Sequence, residues 1–411
     1  MKKKILVIFL LAALWLGHGH PARAESGVEI SAQPPNYTFG GQITFQATIT
    51  PGISIQNIRL IVESPGLPSF VGDAKFTPPD QITYVYILPS RPLRAFSTIT
   101  YHYRVALENG EVYTSPNFSF RYEDNRYTWQ VLEDDAFRIH WYEGEMAFAQ
   151  EILDTARNGK ANIETLLSKA DTGNPINIYA YASASELQST LLMSGQTWVA
   201  GHADPELGAI AVSLPTGTAR SLEIRRQVPH ELAHILLYRM MGEGYQSLPR
   251  WLNEGIASQM ELYPNSDYPL YLEKAYRENR VIPIEQLCRS FPSDAATSFL
   301  AYAEANSLTG YIKEYYGEEG IRNLILAYET GVGCARGVEI ALGRELPQLE
   351  KDWLKATFDQ NKVVETSGKI VEAGTAFLPW LTIFAAVFAP MTGFIILRNW
   401  HRHNKPAPEK Q

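Results

Sequence analysis

The residues best suited to chemistry are two histidines four positions apart, His230 and His234, with Glu231 between them. An α-helix turns once every 3.6 residues, so histidines at this spacing lie on one helix face and can bind one metal ion. Glu254 follows twenty residues after His234, a distance that suits a second helix packed against the first. These residue types and spacings predict a zinc hydrolase site in which His230, His234 and Glu254 hold the metal.

The acidic residue between the histidines completes the expected chemistry. Three protein ligands leave the fourth tetrahedral position of zinc for a water molecule, and zinc lowers the pKa of that water to about 7. Glu231 stands where it can accept a proton from the water and return it to the leaving amine. We therefore predict that Glu231 is the general base.

The segments around these residues resemble the gluzincin (thermolysin-like) metallopeptidases, in which His-Glu-x-x-His is followed by a downstream glutamate ligand. The resemblance is closer to the bacterial peptidase MA-like families, and VPHELAH at 228–234 and LPRWLNEGIA at 248–257 carry it. It extends over about residues 137–353. It implies a zincin fold, a zinc-dependent peptidase activity, and the same three ligands and base.

The resemblance also draws attention to positions around the ligands. Thermolysin-like enzymes have an aspartate four residues after the ligand glutamate, which supports the first histidine, whereas this chain has Ser258. Such a partner tunes affinity or activity about 10- to 100-fold, so either Asn253, Ser258 or a group elsewhere supports the histidine, or the site is weaker. Related gluzincins place a tyrosine downstream, which makes Tyr302 the first candidate to stabilise the oxyanion, ahead of His202. The alternative is that Tyr302 is an ordinary core residue.

The chain before the catalytic region has the pattern of β-strands. Apolar and polar residues alternate along 43–49 and 99–107, and Asn109-Gly110 predicts a hairpin turn. Short strands separated by turns, with no helical stretch, predict an immunoglobulin-like β-sandwich over residues 25–125. This part has no cluster of catalytic residue types, so we expect a spacer or docking module.

The pattern changes after a polar stretch at 123–133. Strands come first and helices follow, which predicts an α+β catalytic domain over residues 134–360. The last predicted strand is either an edge strand that aligns an extended peptide or an ordinary buried strand. The predicted strands are 137–141, 176–181 and 208–214, and the predicted helices are 146–167 (one or two helices), 184–193, a metal-site helix ending at 241, 253–262, 269–278, 295–316, 320–328 and 346–358.

Both ends of the chain carry targeting patterns. Three lysines, an apolar run and Ala22-Arg23-Ala24 predict a signal peptide over residues 1–24. A polar stalk at 361–372 leads to an uncharged run at 373–397, which is long enough for a transmembrane helix. The tail at 398–411 carries mostly basic charge, so it is expected in the cytoplasm. We expect a single-pass protein of the cell membrane with its catalytic part outside.

The net charge restricts the class of partner, and the cysteine content allows two states of the thiols. The formal net charge is −8, and removal of the signal peptide brings it to about −12, which disfavours nucleic acid as a partner. Only two cysteines occur, Cys288 and Cys334. Either they form a disulfide, which an exporting compartment permits, or both are free buried thiols.

The sequence therefore predicts an exported, membrane-anchored zinc metallopeptidase that acts on peptide or protein substrates. The alternative is a catalytically weak or silent peptidase-fold protein that binds or senses peptides at the cell surface. The presence of Glu231 argues against it, because a silent protein has no need of the base. An intramembrane protease is excluded, since charged residues flank the motif, among them Arg225, Arg226 and Arg239.

Overall fold

The structure is a computed structural model that describes residues 27–50, 54–169, 171–191 and 200–358. The predicted signal peptide, stalk, transmembrane helix and tail lie outside these residues. No helix within the described ranges is long and apolar enough to cross a membrane. The chain divides into two units, 1–353 and 354–411, and the described part of the second is the end of one helix.

Two antiparallel sheets form the N-terminal part. One has five strands in the order β1-β3-β7-β6, with β2 beside β3, and the other has the order β10-β8-β4-β5, with β9 beside β8. The bounds are β1 (Ile30–Ala32), β2 (Asn36–Thr38), β3 (Gln42–Ile49), β4 (Ile55–Glu63), β5 (Phe70–Asp73), β6 (Lys75–Thr77), β7 (Gln81–Ile87), β8 (Thr98–Leu107), β9 (Val112–Thr114) and β10 (Phe118–Arg121).

The alternating sequence pattern explains how these sheets meet. Every second residue of β3 and of β8 is buried, because successive side chains of a strand point to opposite faces. The buried side chains of both sheets, including Phe45 and Tyr103, belong to one hydrophobic cluster. The two sheets therefore share a core, as expected of a sandwich.

A third sheet follows the sandwich and has the order β11-β12-β13-β15-β14. Strands β12, β13 and β15 run parallel, and the two outer strands are antiparallel to their neighbours. The interpretation of 208–214 as an edge strand is wrong, because β15 is buried between two strands and β14, which the sequence did not predict, forms the edge. The bounds are β11 (Gln130–Glu133), β12 (Phe137–Trp141), β13 (Ile176–Tyr181), β14 (Gly201–Asp204) and β15 (Ala209–Ser213).

Helices dominate the rest of the described chain, which is therefore a mixed α+β protein. The predicted helices 295–316 and 320–328 are confirmed as two helical parts that meet at a kink at Gly317, whose backbone is not helical, and they are labelled together as α7. Pro229 lies inside α3, so it does not open the metal-site helix. The bounds are α1 (Met146–Leu167), α2 (Ala184–Thr190), α3 (Arg220–Met241), α4 (Arg250–Gln259), α5 (Tyr268–Arg277), α6 (Ile284–Leu287), α7 (Ala295–Glu329), α8 (Cys334–Leu342) and α9 (Leu346–Phe358).

A glycine allows α4 to approach α7 closely. A Cβ atom on Gly255 would lie 2.6 Å from the carbonyl oxygen of Ala305 and would also collide with the side chain of Thr309. Contacts this short do not occur in folded proteins, so only glycine fits here. The residue that follows Glu254 in the sequence thus determines how close the two helices lie.

The two cysteines form a disulfide, which resolves the alternatives left open by the sequence. Cys288 and Cys334 are joined with a Cα–Cα distance of 6.0 Å. The carbonyl oxygen of Cys288 accepts a hydrogen bond from the backbone N–H of Arg250 at 3.1 Å. The crosslink therefore lies beside the first residue of α4.

Candidate metal centre

Two helices bring the three predicted ligands together. His230 and His234 lie one turn apart on α3, and Glu254 faces them from α4. Their ligand atoms all lie within 4.8 Å of one another. The Oε2 atom of Glu254 is 3.3 Å from Nε2 of His230 and 3.6 Å from Nε2 of His234.

This arrangement fits a zinc ion. Ligands about 2.0–2.1 Å from a tetrahedral zinc stand roughly 3.4 Å apart, which agrees with both separations. The Oε2 atom of Glu254 is buried and faces the Nε2 atoms of the two imidazoles. A buried carboxylate is costly unless it is paired with a positive charge, and a cation held between it and the two imidazoles would supply that charge.

The outer ring nitrogens of both histidines have partners that orient them. The Nδ1 atom of His230 lies 3.1 Å from Oε1 of Glu261, and that of His234 lies 2.9 Å from Oδ1 of Asn253. An oxygen acceptor at Nδ1 holds a proton there, so the neutral imidazole that binds a metal presents its Nε2 lone pair to the centre. Ser258 makes no hydrogen bond to either histidine among the described residues. Glu261 was not predicted from the sequence, because it lies beyond the end of α4 and no helical spacing relates it to Glu254.

The electrostatics of the centre favour a cation. Burial disfavours a charge on His230, but hydrogen bonds with Glu254 and Glu261 outweigh burial and raise its pKa to about 10. Burial would by itself raise the pKa of Glu254. The charge of His234, the hydrogen bonds of both histidines and the charge of Arg250 hold it well below its usual value. Glu254 is therefore an anion, and the negative field at Nε2 of His230 that attracts a proton also attracts a metal ion.

An arginine holds the second oxygen of the glutamate ligand. The Nη2 atom of Arg250 lies 2.7 Å from Oε1 of Glu254, one helical turn away along α4. This contact leaves Oε2 of Glu254 to face the histidines. The sequence analysis did not single out Arg250, although its position four residues before an acidic ligand is a usual spacing for a helical ion pair.

The predicted base lies between α3 and the edge strand. Glu231 is buried, and a Cβ atom on Gly201 would lie 2.5 Å from its Oε1 atom. A side chain at position 201 would therefore displace the carboxylate from where it lies. The base consequently contacts the backbone of the strand that forms the sheet edge.

Of the two candidate oxyanion donors, Tyr302 lies beside the centre, whereas His202 lies on β14. The ring centroid of Tyr302 lies 6.3 Å from that of His230. Burial, with a further contribution from the charge of Glu254, raises the pKa of Tyr302, so its hydroxyl keeps the proton it would donate. Burial lowers the pKa of His202 although the charge of Glu231 opposes this, so His202 is neutral at pH 7. A further residue that sequence reasoning missed is Tyr245, whose hydroxyl accepts a hydrogen bond from Asn253 Nδ2 at 2.9 Å.

The comparisons with known proteins agree with this site. Residues 155–359 match the family model described as Peptidase MA superfamily. A peptidase MA-like domain therefore spans this part of the chain, which contains His230, Glu231, His234 and Glu254. The family is generally zinc-dependent, and the His-His-Glu cluster lies inside the matched residues.

The other comparisons add no functional information. No curated protein matches the chain. A bromine derivative of BhCBM56 is 12% identical, covers 23% of this chain and 91% of its own, and has a TM-score of 0.18. A structure described as a myokine is 6% identical over 23% of this chain and 93% of its own, with a TM-score of 0.19. The sensor domain (short form) of the anti-sigma factor RsgI4 of Pseudobacteroides cellulosolvens is 21% identical, covers 24% of this chain and 96% of its own, and has a TM-score of 0.18. Likeness at these TM-scores supports no argument.

Proposed function

We propose that this protein is a gluzincin-type zinc metallopeptidase that hydrolyses peptide bonds in peptide or protein substrates. The observation that carries the proposal is the convergence of His230, His234 and Glu254, with Glu231 beside them, in a peptidase MA-like domain. The proposal includes a thermolysin-like architecture for the catalytic domain and an immunoglobulin-like one for the sandwich.

The chain supplies residues for each proton in the reaction. When bound, zinc supplies Lewis acidity, which lowers the pKa of water at its open position to about 7 and polarises a carbonyl oxygen. The Glu231 carboxylate accepts the proton of the attacking water and passes it to the nitrogen of the leaving amine. The protonated hydroxyl of Tyr302 is the proposed donor to the developing negative oxygen.

Strand β14 offers a way to hold an extended peptide. Among the described residues, β14 pairs only with β15, and the N–H of Ser213 donates to the carbonyl oxygen of Ala200 at 2.7 Å. Hydrogen-bonded pairs alternate along an antiparallel ladder, so the N–H and C=O groups of Gly201 and Ala203 point away from β15. Pairing of a substrate backbone with these groups gives affinity with little demand on substrate sequence.

The test of this function is cleavage by the purified full-length chain in detergent of a mixed peptide library, read by mass spectrometry. Removal of a general base costs about 10²- to 10⁴-fold in rate, so Glu231→Gln should lose most cleavage while it keeps zinc. Glu243→Gln, which replaces an exposed glutamate, is the matched control and should cleave like the wild type. Identical profiles for the wild type and Glu231→Gln would favour a silent peptide-binding protein instead.

Metal analysis tests the ligand assignment separately. Zinc content of the purified chain should be stoichiometric in the wild type and in Glu231→Gln. It should be lost in His234→Ala and in Glu254→Ala, because each variant removes one of three ligands. Stoichiometric zinc in both alanine variants would overturn the assignment.

We further propose that the protein is exported and anchored in the cell membrane by residues 373–397, with the catalytic part outside the cytoplasm. The support is the signal-peptide pattern at 1–24 and the uncharged run before the basic tail. Protease added to intact cells should digest the catalytic domain and spare a tag fused after Gln411. Protection of the catalytic domain would contradict the proposal.

A further inference from the structure

A cavity of about 520 Å³ lies between the sandwich and the edge of the catalytic sheet. Residues 65–67 and 92–96 of the sandwich line one side, and β14, β15 and the end of α2 line the other. Much of the lining is apolar, including Leu67, Phe96 and Leu191. The volume falls in the range of about 300–1,000 Å³ that is usual for ligand sites.

The proposed base and this cavity lie on opposite faces of the same short strand. Gly201 faces Glu231, because a Cβ atom on Gly201 would point at the carboxylate, 2.5 Å from its Oε1 atom. Side chains alternate along a strand, so His202 and Asp204 face the other side, and both line the cavity. The cavity therefore adjoins the catalytic centre through one strand.

An ion-pair cluster fixes the sandwich wall against β14. The Nε and Nη2 atoms of Arg94 lie 2.7 and 2.6 Å from the two carboxylate oxygens of Asp204, and Nη1 lies 2.6 Å from Glu206. A bidentate contact of this kind defines orientation as well as distance. Phe96 adds a second contact, since its ring stacks on Tyr179 with centroids 4.0 Å apart. The loop 92–96 is thus attached both to the edge strand and to the middle of the sheet.

We infer that the sandwich forms one wall of the substrate cleft and that this cavity receives an apolar side chain of the peptide substrate. The inference rests on the peptidase function proposed above. Directly opposed residues of paired strands point to the same face, so the peptide residue opposite His202 directs its side chain into the cavity. Its neighbours in the peptide point toward the face where Glu231 lies.

Photo-crosslinking tests this without relying on catalysis. Full-length Glu231→Gln would be mixed with decapeptides that each carry one benzoylphenylalanine at a different position, and the crosslinked residues would be mapped by mass spectrometry. We expect crosslinks to residues 65–67 or 92–96 from every second position of the peptide, because alternate side chains of a paired strand point to the same face. Crosslinks confined to the catalytic domain, or none at all, overturn the inference whether or not the wild type cleaves peptides.

Specificity provides the second test. Leu67 is 44% exposed, so Leu67→Asp should fold, and Val112→Asp replaces an equally exposed residue (49%) that does not line the cavity. We expect the wild type to cleave peptides with phenylalanine at one position in preference to those with lysine there. The ratio of the two cleavage rates should fall about tenfold or more in Leu67→Asp and should stay unchanged in Val112→Asp. An unchanged preference in Leu67→Asp contradicts the inference. Absence of any zinc-dependent cleavage by the wild type instead contradicts the proposed function, and crosslinking then decides the inference alone.

Discussion

The carboxylate of Glu261 accepts a hydrogen bond from Nδ1 of His230 at 3.1 Å. Glu261 is buried, and it lies just beyond the end of α4, the helix that carries the ligand Glu254. The sequence led us to expect such a partner at Asn253, at Ser258 or elsewhere, and for His230 it is Glu261. The histidine is therefore supported although position 258 is a serine.

Loss of this support should weaken metal binding. We expect Glu261→Ala to lower zinc affinity about 10- to 100-fold, measured by competition with a chelator. Glu261→Gln should lose less, because its amide oxygen can still accept the hydrogen bond. The exposed Glu243→Ala serves as control, and equal affinity in all the variants would contradict a positioning role for Glu261.

Arg250 should orient the ligand carboxylate from the other side. Its side chain is half-exposed, so Arg250→Ala should fold while it leaves Oε1 of Glu254 without its guanidinium partner. We expect a loss of about tenfold or more in zinc affinity. Arg250→Lys should recover part of that loss, since it keeps the charge but not the geometry of the contact. Wild-type affinity in Arg250→Ala would show that the histidines alone orient Glu254.

A buried glutamate outside the metal centre should make stability depend on pH. Burial raises the pKa of Glu304 to about 8, although the backbone N–H of Ile282, which donates to it at 2.9 Å, opposes the shift. The folded state therefore holds this proton more tightly than the unfolded state, where the pKa is near 4.5. The contribution is fully present below pH 4.5 and is lost as pH rises toward about 8.

Replacement of this residue should remove that dependence. Urea unfolding should show that Glu304→Gln gains free energy of unfolding relative to the wild type at pH 8.5, by up to a few kcal/mol, and much less at pH 5. Glu314→Gln, on an exposed position of the same helix, should behave like the wild type at both pH values. A constant difference between Glu304→Gln and the wild type would contradict the assignment.

The disulfide should contribute substantially to stability. It closes a loop with a sequence separation of 46 residues, for which the chain-entropy argument gives about 4 kcal/mol. The double variant Cys288→Ser/Cys334→Ser should unfold at a markedly lower temperature than the oxidised wild type. A reductant should lower the unfolding temperature of the wild type and leave that of the double variant unchanged.

The glycine after the ligand should be intolerant of even one methyl group. Gly255→Ala places a Cβ atom 2.6 Å from the backbone of Ala305, which should cost about 1–3 kcal/mol of stability. Gly333→Ala is the matched control, because Gly333 has ordinary φ and nothing within 4 Å of the added atom. Equal unfolding temperatures for the two variants would show that α7 moves away freely.

The sequence predicted those parts of the structure that depend on local periodicity. The i, i+4 spacing placed His230 and His234 on one helix face, and alternation predicted the long strands of the sandwich. Strand β14 has only four residues, too few for alternation to reveal it. The contact of Glu261 with His230 depends on how the end of α4 lies against α3, and the pairing of the cysteines depends on how distant segments meet. No local pattern contains that information.

Glu254 and Gly255 are neighbours in the chain, yet one faces the histidines and the other faces α7. A single peptide unit thus joins the chemistry of the centre to the packing of the helix behind it. A change that loosens the contact between α4 and α7 would also displace the carboxylate of Glu254 from the histidines. Substitutions at either position are therefore limited both by the packing of the helices and by the geometry of the proposed metal centre.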